Sequence, residues 1–182
     1  MVVRRRPSID GVTAAKPTKR SVGGKLASRQ RDSFDEFLWN IISINNFYEE
    51  ISFAWSQMLG VNKHQWMILM AIRDLDRGNG VSVTGVSAKL HADPSFITSQ
   101  SKNLEKLGFL SRVNSAEDAR VVLMSLTAKA AREIGKLLAA QEPAKKQIFC
   151  DLEGHHLDDV NAKLALLRDK FQRTAKRLAA EI

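Results

Sequence analysis

Apolar side chains recur at three- and four-residue spacing over several long stretches, which places them on one face of an α-helix. The first such stretch follows Ser33-Phe34-Asp35-Glu36, a sequence with the form of a capping box. It continues to Met58, and Gly60 is its expected end. A second capping box, made by Asn62 and Gln65, starts the next predicted helix.

Two further amphipathic stretches occupy the C-terminal part of the chain. Thr127 is a predicted N-cap for a helix that contains Pro143, and the proline should kink or divide that helix. A final helix is expected from about 158 to 180, because Val160, Leu164 and other apolar residues fall along one face.

The pattern between residues 81 and 127 is different and mixes short helices with short strands. A β-branched run at 81–83 precedes a helix predicted at 84–90, a turn, and a second helix at 94–107. Strands predicted at 110–113 and 121–126 then flank a polar tip at 114–120. This is the order of a winged helix-turn-helix, in which two crossed helices are followed by a hairpin.

The second helix of this region presents two contrasting faces. Ile97, Leu104 and Leu107 should point inward at helical spacing. The opposite face carries short hydroxyls and one cation, namely Ser95, Thr98, Ser99 and Lys102. Such groups reach phosphate oxygens and base edges when a helix enters the major groove, although an ordinary solvated face would look the same.

The start of that helix is marked by two residues. Asp93 is a favourable N-cap and Pro94 suits the first helical position. The positive end of the helix dipole is therefore expected to point toward a phosphate backbone.

The segments around this helix resemble the MarR family of transcriptional regulators. The resemblance is carried by Asp93-Pro94-Ser95, Ile97-Thr98 and the run from Leu104 to Leu110, followed by Glu117-Asp118-Ala119-Arg120 and Leu126-Thr127. It extends over roughly residues 33 to 180. It implies a mainly α fold with a small β wing, divided into a winged helix-turn-helix DNA-binding domain at 61–126 and a helical dimerisation region at 32–60 and 127–182.

The resemblance also implies a function. The chain is expected to be a homodimeric, sequence-specific repressor that binds a pseudo-palindromic operator in double-stranded DNA. Arg120 at the wing tip is the candidate for insertion into a narrow minor groove, and Asp118 would hold the loop. Arg112 and Lys102 are predicted phosphate contacts.

Small-molecule control is implied by the same family. We expect release by an aromatic carboxylate or an aromatic acyl-coenzyme A thioester, and no permanent cofactor. An aromatic-rich set could line its pocket between helices, although these side chains could equally be core and interface packing. The set comprises Trp39, Tyr48, Trp55, His64, Trp66 and Arg73.

The net charge of +8 is concentrated at one end of the chain. Residues 1–31 hold nine of the 28 basic residues and one of the 20 acidic residues, which leaves 19 of each sign in the remainder. We expect this basic arm to be disordered in isolation. An alternative function is therefore an architectural nucleic-acid binder driven by the arm.

Chemistry beyond binding has little support in the sequence. Cys150, His155 and His156 form a candidate metal or redox site, but paired Cys-x-x-Cys spacing is absent and a solvated turn is favoured. Cys150 has apolar neighbours and is expected to be a buried, inert thiol. No nucleotide loop or catalytic motif accompanies it, so we expect a cytoplasmic protein that is neither an enzyme nor membrane-bound.

Overall fold

The computed structural model describes residues 22–152 and 154–181, with side chains described from residue 33 onward. Six helices and three strands follow one another in this part of the chain. The helices are α1 (Val22–Leu59), α2 (Lys63–Leu75), α3 (Val83–Leu90), α4 (Pro94–Lys106), α5 (Ala128–Phe149) and α6 (His155–Ala180). The strands are β1 (Val81–Ser82), β2 (Leu110–Asn114) and β3 (Val122–Leu126).

Contacts divide the chain into one unit at Met1–Glu50 and another at Ile51–Ile182. The first unit contains α1 as far as Glu50. The expectation that this helix starts at a Ser33 capping box is wrong, because α1 already begins at Val22. The predicted arm therefore overlaps a helix at 22–31, and residues 1–21 lie outside the described residues.

The second unit is built on an apolar core beneath the helix-turn-helix. Its largest fully buried side chains come from α2, α4, β3 and α5 and include Trp66, Ile72, Leu104, Met124 and Ile134. Burial of side chains of this size contributes about 1.5 to 3 kcal/mol each, so the core holds α2, α4 and α5 in fixed relation.

Helix boundaries follow local hydrogen bonding in the way the sequence predicts. The Asn62 side chain accepts from the amide of Gln65 at 2.9 Å, and Gln65 Oε1 accepts from the amide of Asn62 at 3.0 Å. The capping box at α2 is confirmed. Thr127 is the N-cap of α5, which runs without a break past Pro143, so the proline does not divide it.

The sheet is antiparallel with strand order β1-β3-β2. Residues Leu110 to Asn114 pair with Leu126 to Val122, and Val81 pairs with Met124. The predicted pairing of the 81–83 strand with the wing is confirmed, although the strand is two residues long.

A tight loop leads from α2 into β1. The Asp76 carboxylate accepts from the amides of Gly78 at 2.8 Å and Gly80 at 3.0 Å. Both glycines have positive φ, but only Gly80 is crowded: a Cβ there would lie 3.0 Å from Ser125 Oγ and 3.1 Å from Leu123 Cβ. The loop thereby sets β1 against β3.

Candidate nucleic-acid interface

α4 begins with the cap that the sequence predicts. Asp93 Oδ1 accepts from the amide of Ser95 at 2.7 Å and the amide of Phe96 at 3.3 Å, and Pro94 occupies the first turn. The Ser95 hydroxyl also donates to Asp93 Oδ1. Together the side-chain hydrogen bond from Ser95 and the two backbone hydrogen bonds lower the pKa of Asp93.

The cap bears on the expectation that the start of α4 points toward a phosphate. In the structure the amides of Ser95 and Phe96 donate to the Asp93 carboxylate. The negative charge at that position offsets the helix dipole. The expected phosphate contact at this end of α4 stays a prediction.

The two faces of α4 are largely those predicted. Ile97 and Leu104 are fully buried, and Ser95, Ser99 and Lys102 are exposed. Leu107 was predicted to face inward, but it is 46% exposed because it is the C-cap residue, beyond the last helical turn. We call Ser95, Ser99 and Lys102, with Arg120 of the wing, the reading surface.

Thr98 is less available than its neighbours. It is half-buried, and its hydroxyl donates to the carbonyl of Pro94 at 2.9 Å. It lines a cavity of about 230 Å³ together with Thr84, Arg112 and Arg120. Thr98 therefore lies at the floor of the groove between α4 and the wing.

The wing tip is held by backbone hydrogen bonds around Asp118. The amide of Arg120 donates to Asp118 Oδ1 at 2.9 Å, and the amide of Val121 donates to the Asp118 carbonyl at 2.9 Å. These bonds leave the Arg120 side chain exposed, and it makes no ion pair with the described residues. A fixed loop carrying an available guanidinium is suited to probing a groove.

Arg112, a predicted phosphate contact, has a largely buried side chain. Its side chain is only 9% exposed, lies 3.9 Å from the Glu105 carboxylate, and has a buried Nε without a hydrogen-bond partner among the described residues. A buried cation with a single weak partner is costly. Arg112 thus joins β2 to α4, and it also lines the groove that contains Thr98.

α2 contributes neighbours of α4 that sequence reasoning missed. The His64 ring packs edge-on against Phe96 with centroids 5.3 Å apart, and Asn62 Nδ2 donates to Gln100 Oε1 at 3.4 Å. Phe96 has no polar group, so the sequence gives no signal that it belongs to this surface. The structure shows it as an exposed aromatic side chain.

The six residues predicted for an effector pocket belong to both units, and the four in the second unit have different surroundings. Trp66 is 1% exposed and packs in the core against Trp55, with ring centroids 6.2 Å apart. His64 contacts Phe96, and Arg73 is exposed near the end of α2. Trp39 and Tyr48 are exposed on the part of α1 that belongs to the first unit.

The segment between α5 and α6 contains the candidate metal residues Cys150, His155 and His156. Among the described side chains, at 33–152 and 154–181, no group of three or more His, Cys, Asp or Glu is placed to hold a metal. The rings of His155 and His156 lie 4.0 Å apart at the start of α6. Cys150 was predicted to be buried but is exposed, because α5 ends just before it. No described helix is long and apolar enough to cross a bilayer.

Comparison with known proteins shows what this chain is similar to. Residues 61–122 match the model of the MarR family. The chain is 32% identical over 93 residues to the HTH-type transcriptional regulator PapX of Escherichia coli, a match covering 51% of this chain and 56% of that protein. The chain therefore spans about half the length of this curated relative.

Solved structures share the fold at low identity. A MarR/EmrR family transcriptional regulator from Acinetobacter sp. ADP1 has a TM-score of 0.63 and 21% identity, over 76% of this chain and 96% of that chain. The S. aureus MepR-DNA complex has a TM-score of 0.62 and 12% identity, over 74% of this chain and 97% of that chain. Both similarities cover a mainly helical architecture with a small sheet, so the predicted fold class is confirmed.

The matched residues are the ones that form the helix-turn-helix and most of the wing. Sequence similarity and architecture agree on this region. Residues 61–122 are thus similar to the MarR family over a winged helix-turn-helix, and the curated relative that the chain matches is a transcriptional regulator.

Proposed function

We propose that this chain is a sequence-specific DNA-binding repressor that acts as a homodimer on a pseudo-palindromic operator and is released by a small effector. The observation that carries the proposal is the reading surface. Ser95, Ser99 and Lys102 are exposed on one side of α4, and Arg120 is exposed at the tip of the adjacent wing. Hydroxyls and one ammonium suit base edges and phosphates in the major groove, and an arginine suits the minor groove.

The rigidity of the surrounding elements supports this function. α4 is anchored by Ile97, Leu104 and the fully buried Ser101, whose hydroxyl donates to the Thr98 carbonyl at 3.0 Å. The wing is fixed by five paired positions between β2 and β3. A surface whose side chains are held in place loses less entropy on binding.

Dimer formation is supported by apolar side chains that stay exposed on helices of both units. On α1, within the first unit, Trp39, Ile44 and Phe47 are each more than 60% exposed. Within the second unit, α6 contains no buried residue, and Leu164 and Phe171 lie exposed on one face. Exposed apolar patches of this kind mark interaction sites, and a second copy is the commonest partner.

Two copies would place two α4 helices on one face of the duplex. Half-sites are then expected about 10 to 10.5 base pairs apart, with the approximate twofold symmetry of the protein. An effector releases the protein when it favours an arrangement in which the two helices no longer match that spacing.

The proposed effector is an aromatic carboxylate or an aromatic acyl-coenzyme A thioester. The support is the family resemblance and the exposed aromatic side chains of α1, Trp39 and Tyr48. A thermal-shift screen with these compounds identifies binders, because a ligand that binds the folded state raises its apparent stability.

Substitution of Arg120 by alanine tests the proposed function. The probe is a duplex selected by the wild-type protein from a random-sequence pool, and the measurement is the dissociation constant at several salt concentrations. We expect Arg120→Ala to weaken binding about tenfold, since a positioned base or groove contact is worth about 1 to 3 kcal/mol. Arg132→Ala, at an exposed arginine paired with Glu133 on α5, is the matched control. Affinity of Arg120→Ala equal to that of the control would contradict the role of the wing, and failure to select any duplex would contradict the proposed function.

A further inference from the structure

The C-terminal end of α4 is closed by a Schellman motif. The amide of Gly108 donates to the Glu105 carbonyl and the amide of Phe109 donates to the Leu104 carbonyl, each at 2.9 Å. Gly108 provides the required positive φ of 75°. These bonds use carbonyls of the last turn of α4. The next three carbonyls, of Leu107, Gly108 and Phe109, are not acceptors in this motif.

The first turn of α5 supplies a donor to each of these three carbonyls. Lys129 Nζ donates to Leu107 O at 3.1 Å, Thr127 Oγ1 donates to Gly108 O at 2.8 Å, and the amide of Thr127 donates to Phe109 O at 3.1 Å. We call this set of three hydrogen bonds the carbonyl clamp. It ties the start of α5 directly to the end of the helix that carries the reading surface.

Lys129 is the cation of the clamp and makes a second contact. Its ammonium lies 4.8 Å from the centroid of the Phe109 ring, and Phe109 is itself buried. A positive charge at the C-terminus of α4 is also favourable to the helix dipole. Lys129 is itself an exposed residue, and these two contacts place its ammonium at the junction between α4 and α5.

We infer that Lys129 is a positioning residue that sets the orientation of α4 relative to α5, and that the carbonyl clamp transmits changes in α5 to the reading surface. The inference rests on the proposed function. α5 is also fixed to the core by Ala130, Ile134 and Leu137, so a shift of this helix moves the clamp with it. Such a shift would displace the Lys129 ammonium together with the Leu107 carbonyl and the Phe109 ring that it contacts.

The test replaces Lys129 with methionine, which keeps the length of the side chain and removes the ammonium. Lys129→Arg retains the cation, and Lys136→Met removes an exposed lysine from the same helix. The probe is the duplex selected by the wild-type protein, with a scrambled duplex of equal length for non-specific binding. We expect Lys129→Met to weaken binding to the selected duplex about two- to fivefold, the range for losing a cation at a helix C-terminus.

Three readouts separate positioning from direct contact. For Lys129→Met we expect unchanged affinity for the scrambled duplex, an unchanged slope of log affinity against log salt, and faster amide exchange at residues 104–109. Lys129→Arg should restore binding. A direct phosphate contact would instead reduce the salt slope by about 0.9 and weaken both duplexes, which would overturn the inference.

The inference also fails if wild-type and Lys129→Met proteins bind the selected duplex equally and differ only in melting temperature. That result would leave the proposed function intact. Absence of sequence-specific binding by the wild-type protein would contradict the proposed function itself.

Discussion

At the scale of single residues, the cap of α4 depends on one carboxylate. The side-chain hydrogen bond from Ser95 and the amides of Ser95 and Phe96 favour the charged form of Asp93 and lower its pKa. A group whose pKa is depressed in the folded state stabilises the protein above its unfolded pKa of about 4. That stabilisation is lost as the pH falls through the folded pKa.

Replacing Asp93 with asparagine should separate capping from charge. Asparagine is a comparable N-cap but does not titrate, so the stability at pH 7 should change little. As the pH falls below about 4, the ordinary pKa of an aspartate, the variant should lose less stability than the wild type. Urea unfolding across this pH range measures the difference, with Asp159→Asn on the exposed face of α6 as the matched control. Parallel pH profiles of wild type and Asp93→Asn would argue against the cap.

Residues whose environment is local were predictable from the sequence. The capping bonds made by Asn62, Gln65, Asp93 and Thr127 join groups no more than three residues apart, so residue identity and spacing decide these bonds. Arg112 was not predictable in this way. Its burial depends on Glu105 of α4 lying opposite β2. The residue pattern of one strand does not show which residue of another element lies beside it.

At the scale of elements, the order and type of helices and strands followed from periodicity, and their ends did so where a cap was present. The start of α1 was missed because the Ser33 segment looks like a cap but lies inside a longer helix. The different surroundings of Trp66 and His64 within the second unit were not predictable either. Aromatic residues at helical spacing identify an apolar face, but Trp66 faces the core while His64 faces α4.

The exposed face of α6 gives a prediction at this scale. Leu164 and Phe171 lie two turns apart on one side of the helix, so replacing both with glutamate places two charges on the proposed interface. We expect the wild type to sediment as a dimer at micromolar concentration and the double variant as a monomer, because burying unpaired charges is unfavourable. Sedimentation equilibrium measures the mass. Lys170→Glu on the same helix is the control, and a dimer that persists in the double variant would place the interface elsewhere.

At the scale of the whole molecule, the excess of basic residues and the reading surface lie in different parts of the chain. The reading surface belongs to the second unit, whereas the excess of positive charge lies in residues 1–31. The architectural alternative assigns binding to the arm, and the proposed function assigns selectivity to α4 and the wing. Removing residues 1–21, which precede the described part of α1, distinguishes the two.

We expect the shortened protein to keep its preference for the selected duplex over a scrambled one. Overall affinity at low salt should fall, because these residues hold six cations and one carboxylate. The slope of log affinity against log salt should decrease by about 0.9 for every phosphate that the removed residues neutralise in the full-length protein. Fluorescence anisotropy titrations at several salt concentrations provide both quantities. Complete loss of binding to both duplexes would favour the architectural alternative.

The crowded glycine at the entry to β1 limits how this protein can diverge. Gly78 and Gly80 sit in the same loop with the same sign of φ, yet only Gly80 meets neighbouring atoms at 3.0 to 3.1 Å. A side chain at position 78 is therefore opposed by backbone strain alone, whereas one at position 80 would also require Ser125 and Leu123 of β3 to move by a few tenths of an ångström. Substitution of Gly80 is consequently the change more able to disturb the pairing of β1 with the hairpin that carries Arg120.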